Sequence, residues 1–339
     1  MNKILNEDIE EIVERSKGLG FQGKNFLITG ATGLIGSLLT RTLIRMNEKY
    51  DAKNRIVIMT RNREKAEEEF GDAAKVVLQD EEVEEDLDYI VHLAAPTQSK
   101  FFVEKPVETL DAVVGGTKKM LELAKEKDVK KFLYVSSMEA YGTFDNEKEV
   151  KESDNGEISL NAVRSSYPMG KRMAELYTYC YNKEYGINTT TARLAMCFGA
   201  GLRPDDNRVH KYFCESALVG RDIVVKSTGE TVVNFVYSVD AVVALLVLLV
   251  RGGNGETYNV AGENDDLTIY KMAQFVAEKG GVIAKREIPD GKSEFAPVNR
   301  MKLNTDKILG LGWKPEYDLK EALEKLMNYL KNEWAKEKD

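Results

Sequence analysis

Tyr167 and Lys171 stand four residues apart in "SSYPMGKR", a spacing that puts a phenol and an ammonium on one face of a helix. A neighbouring positive charge favours the phenolate, so the pair predicts a tyrosine whose pKa falls from about 10 toward neutrality. Such a group can take the proton of an alcohol. Upstream, "YVSSMEAYG" ends an apolar run at Ser136 and Ser137, and Ser137 can hold the same substrate oxygen. Ser137, Tyr167 and Lys171 together suit removal of a hydroxyl proton while hydride leaves the carbon that bears it.

A hydride needs an acceptor, and "FLITGATGLIG", residues 26–36, offers a place for one. An apolar run meets Gly30-x-x-Gly33-x-x-Gly36 and then a helical pattern. Gly30 would make the tight turn, Gly33 would let a pyrophosphate approach the backbone, and Gly36 would let helix and strand pack closely. Thr32, Leu34 and Ile35 fall within the same loop and helix start. The second apolar run ends "IMTRNR", so Thr60, Arg61 and Asn62 stand where a ribose-binding acid would favour NAD. With no acid there and Arg61 able to pair with a 2′-phosphate, the sequence leaves NAD and NADP open and leans toward NADP.

These groups need elements that hold them. The runs "NFLITG", "RIVIMT", "AKVVLQD", "DYIVHLAA", "KFLYVSS" and "NTTTARLAM" alternate with helix-length amphipathic stretches, at about 34–47, 63–70, 104–127 and 167–186. The runs are apolar at successive rather than alternate positions, which predicts strands buried on both faces of a parallel sheet. The expected fold is α/β, a Rossmann-type doubly wound sheet with a smaller mixed α/β C-terminal substrate lobe. The expected division is a helical extension over 1–22, a dinucleotide-binding domain over 23–195, and the substrate lobe over 196–339. A last helix is expected at about 319–335, and "AVVALLVLLV" reads as a buried helix too short to span a bilayer.

Composition narrows the function. Lys and Arg number 48 against 56 Asp and Glu, for a net charge of −8, and no basic stripe tracks a phosphate backbone. Nucleic acid and membrane are therefore not expected partners. The three cysteines lack CxxC spacing and there are two histidines, so a metal site is not expected and the thiols read as reduced. The amphipathic, acidic start carries no signal-peptide pattern, and the expected location is the cytoplasm. His92 reads as packing on its strand, and His210 as non-catalytic.

Taken in order, "TGATGLIG", "HLAA", "VSSMEAYG", "YPMGKR", "YNVAGE" and "LGWKPEYDLKEAL" resemble the extended short-chain dehydrogenase/reductase superfamily in its nucleotide-sugar epimerase/dehydratase branch. The likeness runs from about Lys24 to Trp334. It implies Ser137, Tyr167 and Lys171 as the catalytic set and a nucleotide-diphosphate sugar between the lobes. It also implies a homodimer through the helices near 104–127 and 167–186. By the same analogy Asp80 would sit by the adenine, and Leu93, Ala94 and Ala95 would line the cofactor.

Within that branch, Glu139 distinguishes chemistries. Oxidation at C4 of a sugar acidifies the C5 proton, so a carboxylate nearby can act as the C5 base. Glu139 lies two residues past Ser137, and continued strand geometry would aim both side chains the same way. This points to a 4,6-dehydratase or a UDP-glucuronate decarboxylase. The 4-epimerase and a dinucleotide-binding sensor without turnover remain alternatives, because three positions depart from the pattern. Met138 stands where dehydratases carry a proton-donating Asp, Met196 where a polar substrate ligand is usual, and Val233 where an arginine meets phosphate or sugar. Thr97, Arg164, Lys211, Lys226 and Arg300 are the further substrate candidates.

Overall fold

Runs of successive apolar residues become strands because both faces of the sheet are covered by helices. The computed structural model describes residues 2–144, 148–263, 267–288 and 300–336. Its strands are β1 (Asn25–Thr29), β2 (Arg55–Thr60), β3 (Lys75–Leu78), β4 (Tyr89–His92), β5 (Lys131–Ser137), β6 (Lys148–Val150) and β7 (Thr189–Leu194). Six short ones follow: β8 (Met196–Phe198), β9 (Ile223–Val225), β10 (Phe235–Tyr237), β11 (Glu256–Val260), β12 (Ala284–Arg286) and β13 (Met301–Leu303). The helices are α1 (Lys3–Arg15), α2 (Leu34–Tyr50), α3 (Arg63–Phe70), α4 (Ser99–Glu104), α5 (Pro106–Leu110) and α6 (Gly116–Glu126). They continue as α7 (Ser166–Tyr185), α8 (Val209–Leu218), α9 (Ser238–Arg251), α10 (Ile269–Gly280), α11 (Asp306–Leu309) and α12 (Leu319–Lys336).

Seven strands form one parallel sheet in the order β11-β7-β5-β4-β1-β2-β3. From β1 the chain winds outward through β2 and β3, then returns to the other side of β1 with β4. The order reverses between β1 and β4, and a crevice opens beyond the carboxyl ends of these two strands. That is the α/β, doubly wound architecture expected of the sequence.

Three expectations need correction. The sheet does not end near residue 195: β11 pairs with β7 from Glu256 opposite Thr190 to Val260 opposite Leu194, and the buried α9 packs on β5 and β7. Long-range strand pairing leaves no local mark at the supposed boundary. The N-terminal helix, expected as an extension over 1–22, packs into the body of the fold. Asp8 is fully buried, accepts from the Tyr237 hydroxyl at 2.7 Å and pairs with Lys325 of α12 at 2.6 Å, while Arg15 pairs with Asp240 at 2.7 Å. Finally, the stretch near 104–127 is not one uniform helix. A π-helical turn over Asp111–Gly115 joins α5 to α6. Among the described residues, no helix is long and apolar enough to cross a membrane.

Candidate active site

The crevice at the β1/β4 reversal is a cavity of about 1040 Å³. Its floor is the glycine loop. Gly30 has φ +71°, and a Cβ there would stand 2.9 Å from the Ala94 backbone nitrogen. A Cβ on Gly36 would lie 2.2 Å from the Gly30 carbonyl oxygen, so that glycine sets how closely α2 approaches the turn. Gly33 caps α2 with no side-chain hydrogen bond, which leaves the first backbone N–H groups of the helix open to an anion. A dinucleotide pyrophosphate fits this cradle. Thr32, Leu34, Ile35, Leu93, Ala94 and Ala95 all line the cavity.

At the second strand, Thr60, Arg61 and Asn62 also line it, but they are not alike. Asn62 is occupied as the cap of α3, its Oδ1 accepting from the Lys65 backbone N–H at 2.9 Å. Arg61 is exposed. Asp80 does not reach the cavity; the preceding residue, Gln79, does. The polar turn after β3 aims the acid outward instead.

The catalytic candidates converge from β5 and α7. Ser137 ends the strand, and its hydroxyl accepts from the Glu139 N–H at 3.2 Å. Tyr167 sits in the first turn of α7, its ring stacked on Phe102 at 4.2 Å between centroids and nearly parallel. Lys171, one turn on, is buried and donates to the Val135 carbonyl at 2.8 Å; its ammonium is 5.8 Å from the Tyr167 ring centroid. Burial lowers the Lys171 pKa to about 8. The Tyr167 phenol, however, lies above its ordinary value. Burial and then Glu139 push it up, while the Ser137 hydroxyl, Arg164 and Arg208 work the other way. The expected depression of this phenol is absent because desolvation outweighs the cations around it.

Glu139 lines the cavity, but not by a continued strand. The chain turns into a 3-10 helix over Met138–Tyr141 immediately after Ser137. Arg164 Nη2 donates to Glu139 Oε2 at 2.7 Å, and the guanidinium lies 4.9 Å from the Phe102 ring centroid. Arg164 therefore acts on the candidate base rather than standing alone as a ligand.

Of the other substrate candidates, Thr97, Met138 and Met196 line the cavity. Lys211 is buried and donates to the Pro204 carbonyl at 2.5 Å, so it supports a loop from beneath. Lys226 is exposed outside the cavity, and Arg300 is exposed and paired with Glu230 at 2.9 Å. Val233 is buried in the lobe, away from the cavity. His92 is buried with Nδ1 2.7 Å from Thr29 Oγ1. That oxygen already accepts from the Leu93 and Ala94 N–H groups, so it donates to Nδ1 and the imidazole carries its proton on Nε2. Sequence reasoning missed Arg203, Asp206 and Arg208, which wall the cavity from the loop before α8. Arg208 grips Asp206 with Nε and with Nη2, the latter at 2.6 Å, and ties to the Cys197 carbonyl at 2.9 Å. The "PDDNRV" string carried that signal, but nothing local shows that it folds over a cavity.

Comparison with known proteins fits this geometry. The pattern of the NAD dependent epimerase/dehydratase family matches residues 26–261. A UDP-glucuronic acid decarboxylase 1 of Danio rerio is 30% identical over 318 residues, covering 91% of this chain and 73% of that protein. A putative UDP-glucose 4-epimerase of Methanocaldococcus jannaschii is 28% identical, covering 90% of this chain and 98% of its own. Among solved structures, an epimerase from Methanothermobacter thermautotrophicus superposes with a TM-score of 0.80 at 24% identity, covering 96% of each chain, which is a likeness of fold.

Proposed function

The chain belongs to the NAD dependent epimerase/dehydratase family, and from that premise we propose that it decarboxylates a nucleotide-linked uronic acid through transient oxidation at C4. The observation that carries the reading is Glu139 at the cavity wall beside Ser137 and Tyr167, with Met138 next to it. Loss of a C6 hydroxyl needs an acid at that point, and a thioether donates no proton. Loss of carbon dioxide from a 4-keto acid needs none. The bond from C5 to the carboxylate breaks, its electrons pass into the enolate, and a proton drawn from solvent must then be added at C5. We assign its delivery to Glu139, which takes that proton on Oε1 while Oε2 accepts from Arg164.

A nicotinamide dinucleotide held over the glycine loop would supply a reversible hydride acceptor for C4. Tyr167 takes the C4 hydroxyl proton, Ser137 holds the oxygen, and Lys171 provides the cation that favours the phenolate. Arg164 keeps Glu139 at the wall. Arg203 and Arg208 line the cavity from the loop before α8 and are candidates for the substrate diphosphate. Arg61, Lys65 and Lys119 line the cavity and support NADP over NAD, which paired titrations with NADH and NADPH would decide.

A second reading is favoured by one observation. The Arg164 pair ties up Glu139, and a carboxylate held there would leave a 4-epimerase. For assembly, Val107, Leu110, Met173, Leu176 and Tyr179 are exposed on α5 and α7, which supports a homodimer through these helices.

Incubation of the purified protein with UDP-glucuronate, UDP-glucose and dTDP-glucose, followed by NMR, tests the reading. Release of a UDP-pentose from UDP-glucuronate is expected. An epimeric hexose with no decarboxylation would establish the second reading, and no product from any of the three would overturn both.

A further inference from the structure

α7 grips the end of β5 at two consecutive residues. Lys171 Nζ takes the Val135 carbonyl at 2.8 Å, and one turn further on Glu175 accepts from the Ser136 hydroxyl at 2.5 Å. The next residue of the strand is Ser137. Since Ser137 rides on β5 while Tyr167 and Lys171 ride on α7, the register between strand end and helix sets where hydroxyl and phenol meet.

Glu175 lies outside the cavity and is 9% exposed. Arg193 of β7 reaches it with Nε at 3.0 Å from both oxygens and with Nη2 at 2.6 Å. The same guanidinium donates to the Glu152 carbonyl at 3.0 Å and covers the Tyr141 ring at 4.4 Å. An ionised carboxylate can only accept, so Ser136 must be the donor. Buried pairs of this kind lose much of their attraction to desolvation, and apolar replacements often cost no stability. Stability alone therefore gives a weak reason for the pair.

The charged and titratable neighbours are few. Glu175 faces Lys171 and Arg172 on its own helix, Arg193 on β7 and Tyr134 on β5. Lys171 faces Glu175 and Tyr167 on α7, Tyr134 on β5 and His92 on β4. Among these, Glu175 is the carboxylate that favours the ammonium against its burial.

We propose that Glu175 is a positioning residue: it locks the strand end carrying Ser137 to the helix carrying Tyr167 and sets a carboxylate one helical turn from Lys171. The turnover readout rests on the proposed function; the lysine readout does not. Three variants, Glu175→Gln, Glu175→Asp and Ser136→Ala, are compared with the wild type. Lys171 acetylation by acetic anhydride is followed across pH by peptide mass spectrometry, and kcat and KM are measured on UDP-glucuronate. In Glu175→Gln the labelling midpoint and the alkaline fall of kcat both move down by roughly one pH unit, a roughly fivefold loss of the charged form at the old midpoint, with KM held. Glu175→Asp restores the midpoint. Ser136→Ala, which leaves the Arg193 pair in place, lowers kcat without moving the midpoint.

A folded Glu175→Gln with an unshifted midpoint would overturn the electrostatic role. Full kcat in Ser136→Ala would overturn the locking role, even if Glu175→Gln does not fold. A wild type inert toward UDP-glucuronate would count against the proposed function alone, with the Lys171 midpoint still deciding Glu175.

Discussion

Arg164 donates to Glu139 across 2.7 Å, and the same guanidinium rests near the Phe102 ring that stacks on Tyr167. One cation thus touches both the candidate C5 acid/base and the support of the C4 base. Both groups of the pair are about one-third exposed, so the link is a positioning contact more than a source of stability.

If Glu139 works at C5, Glu139→Gln should separate the two halves of the reaction. Reduced nicotinamide should still form on mixing with UDP-glucuronate, because Ser137, Tyr167 and Lys171 are intact. Deuterium incorporation at C5 from heavy water should fall by about 10²-fold or more, the range for loss of a general acid or base. Arg164→Gln should give a smaller loss of the same kind. Equal loss of hydride transfer and of C5 exchange would show that Glu139 has no separate role.

The glycine loop gives a steric prediction. A Cβ at Gly36 would meet the Gly30 carbonyl at 2.2 Å, a backbone atom that cannot swing away, whereas a Cβ at Gly116 meets nothing within 4 Å. Gly36→Ala should cost about 1–3 kcal/mol of stability, as overpacking does, and should weaken NADH binding measured by fluorescence. Gly116→Ala should keep or raise Tm, since alanine gains about 1 kcal/mol over glycine in a helix. Equal Tm values for the two variants would refute the steric account.

The parts of the site legible in the sequence share one property: their geometry is local. Gly30, Gly33 and Gly36 lie on one turn, and Tyr167 and Lys171 on one helix face, so spacing alone places them. Ser137 could be placed because a strand end precedes it. What escaped reading depends on distant segments. Arg300 has the type and loop setting of a phosphate ligand but pairs with Glu230, and Lys226 is an exposed loop residue outside the cavity. Arg208 and Asp206 reach the cavity through a fold of the loop that no periodicity announces. Burial raises the Tyr167 phenol against the direction that its spacing from Lys171 favours, because desolvation depends on everything that covers it, not on the lysine one turn away.

Assembly can be probed on α7. Met173, Leu176 and Tyr179 are 45%, 54% and 49% exposed and recur on one face at helical spacing. A charge there should break a helix-to-helix interface between copies. Leu176→Asp should convert a dimer to a monomer in sedimentation velocity while leaving NADH binding in place. A wild type that already sediments as a monomer would rule out this interface.

Acid stability should trace to two histidines. His92 and His210 are fully or nearly fully buried, and burial lowers each pKa from about 6.5 to about 3. His210 stacks on Phe198 at 4.8 Å, and neither ring nitrogen finds a hydrogen-bond partner among the described residues. Between about pH 6.5 and 3 the unfolded chain binds a proton at each ring that the folded chain refuses. Stability therefore falls as pH falls through that window, by up to about 1.4 kcal/mol per pH unit per histidine. Above pH 6.5 both states hold neutral rings and the effect vanishes. His210→Phe keeps an aromatic ring against Phe198 and removes the titration. Its urea midpoint should drop less than that of the wild type between pH 6.5 and 4.5, with little difference between the two proteins at pH 8. Parallel loss in both would mean that His210 is hydrated or charged in the folded chain, and that buried carboxylates govern the acid limb instead.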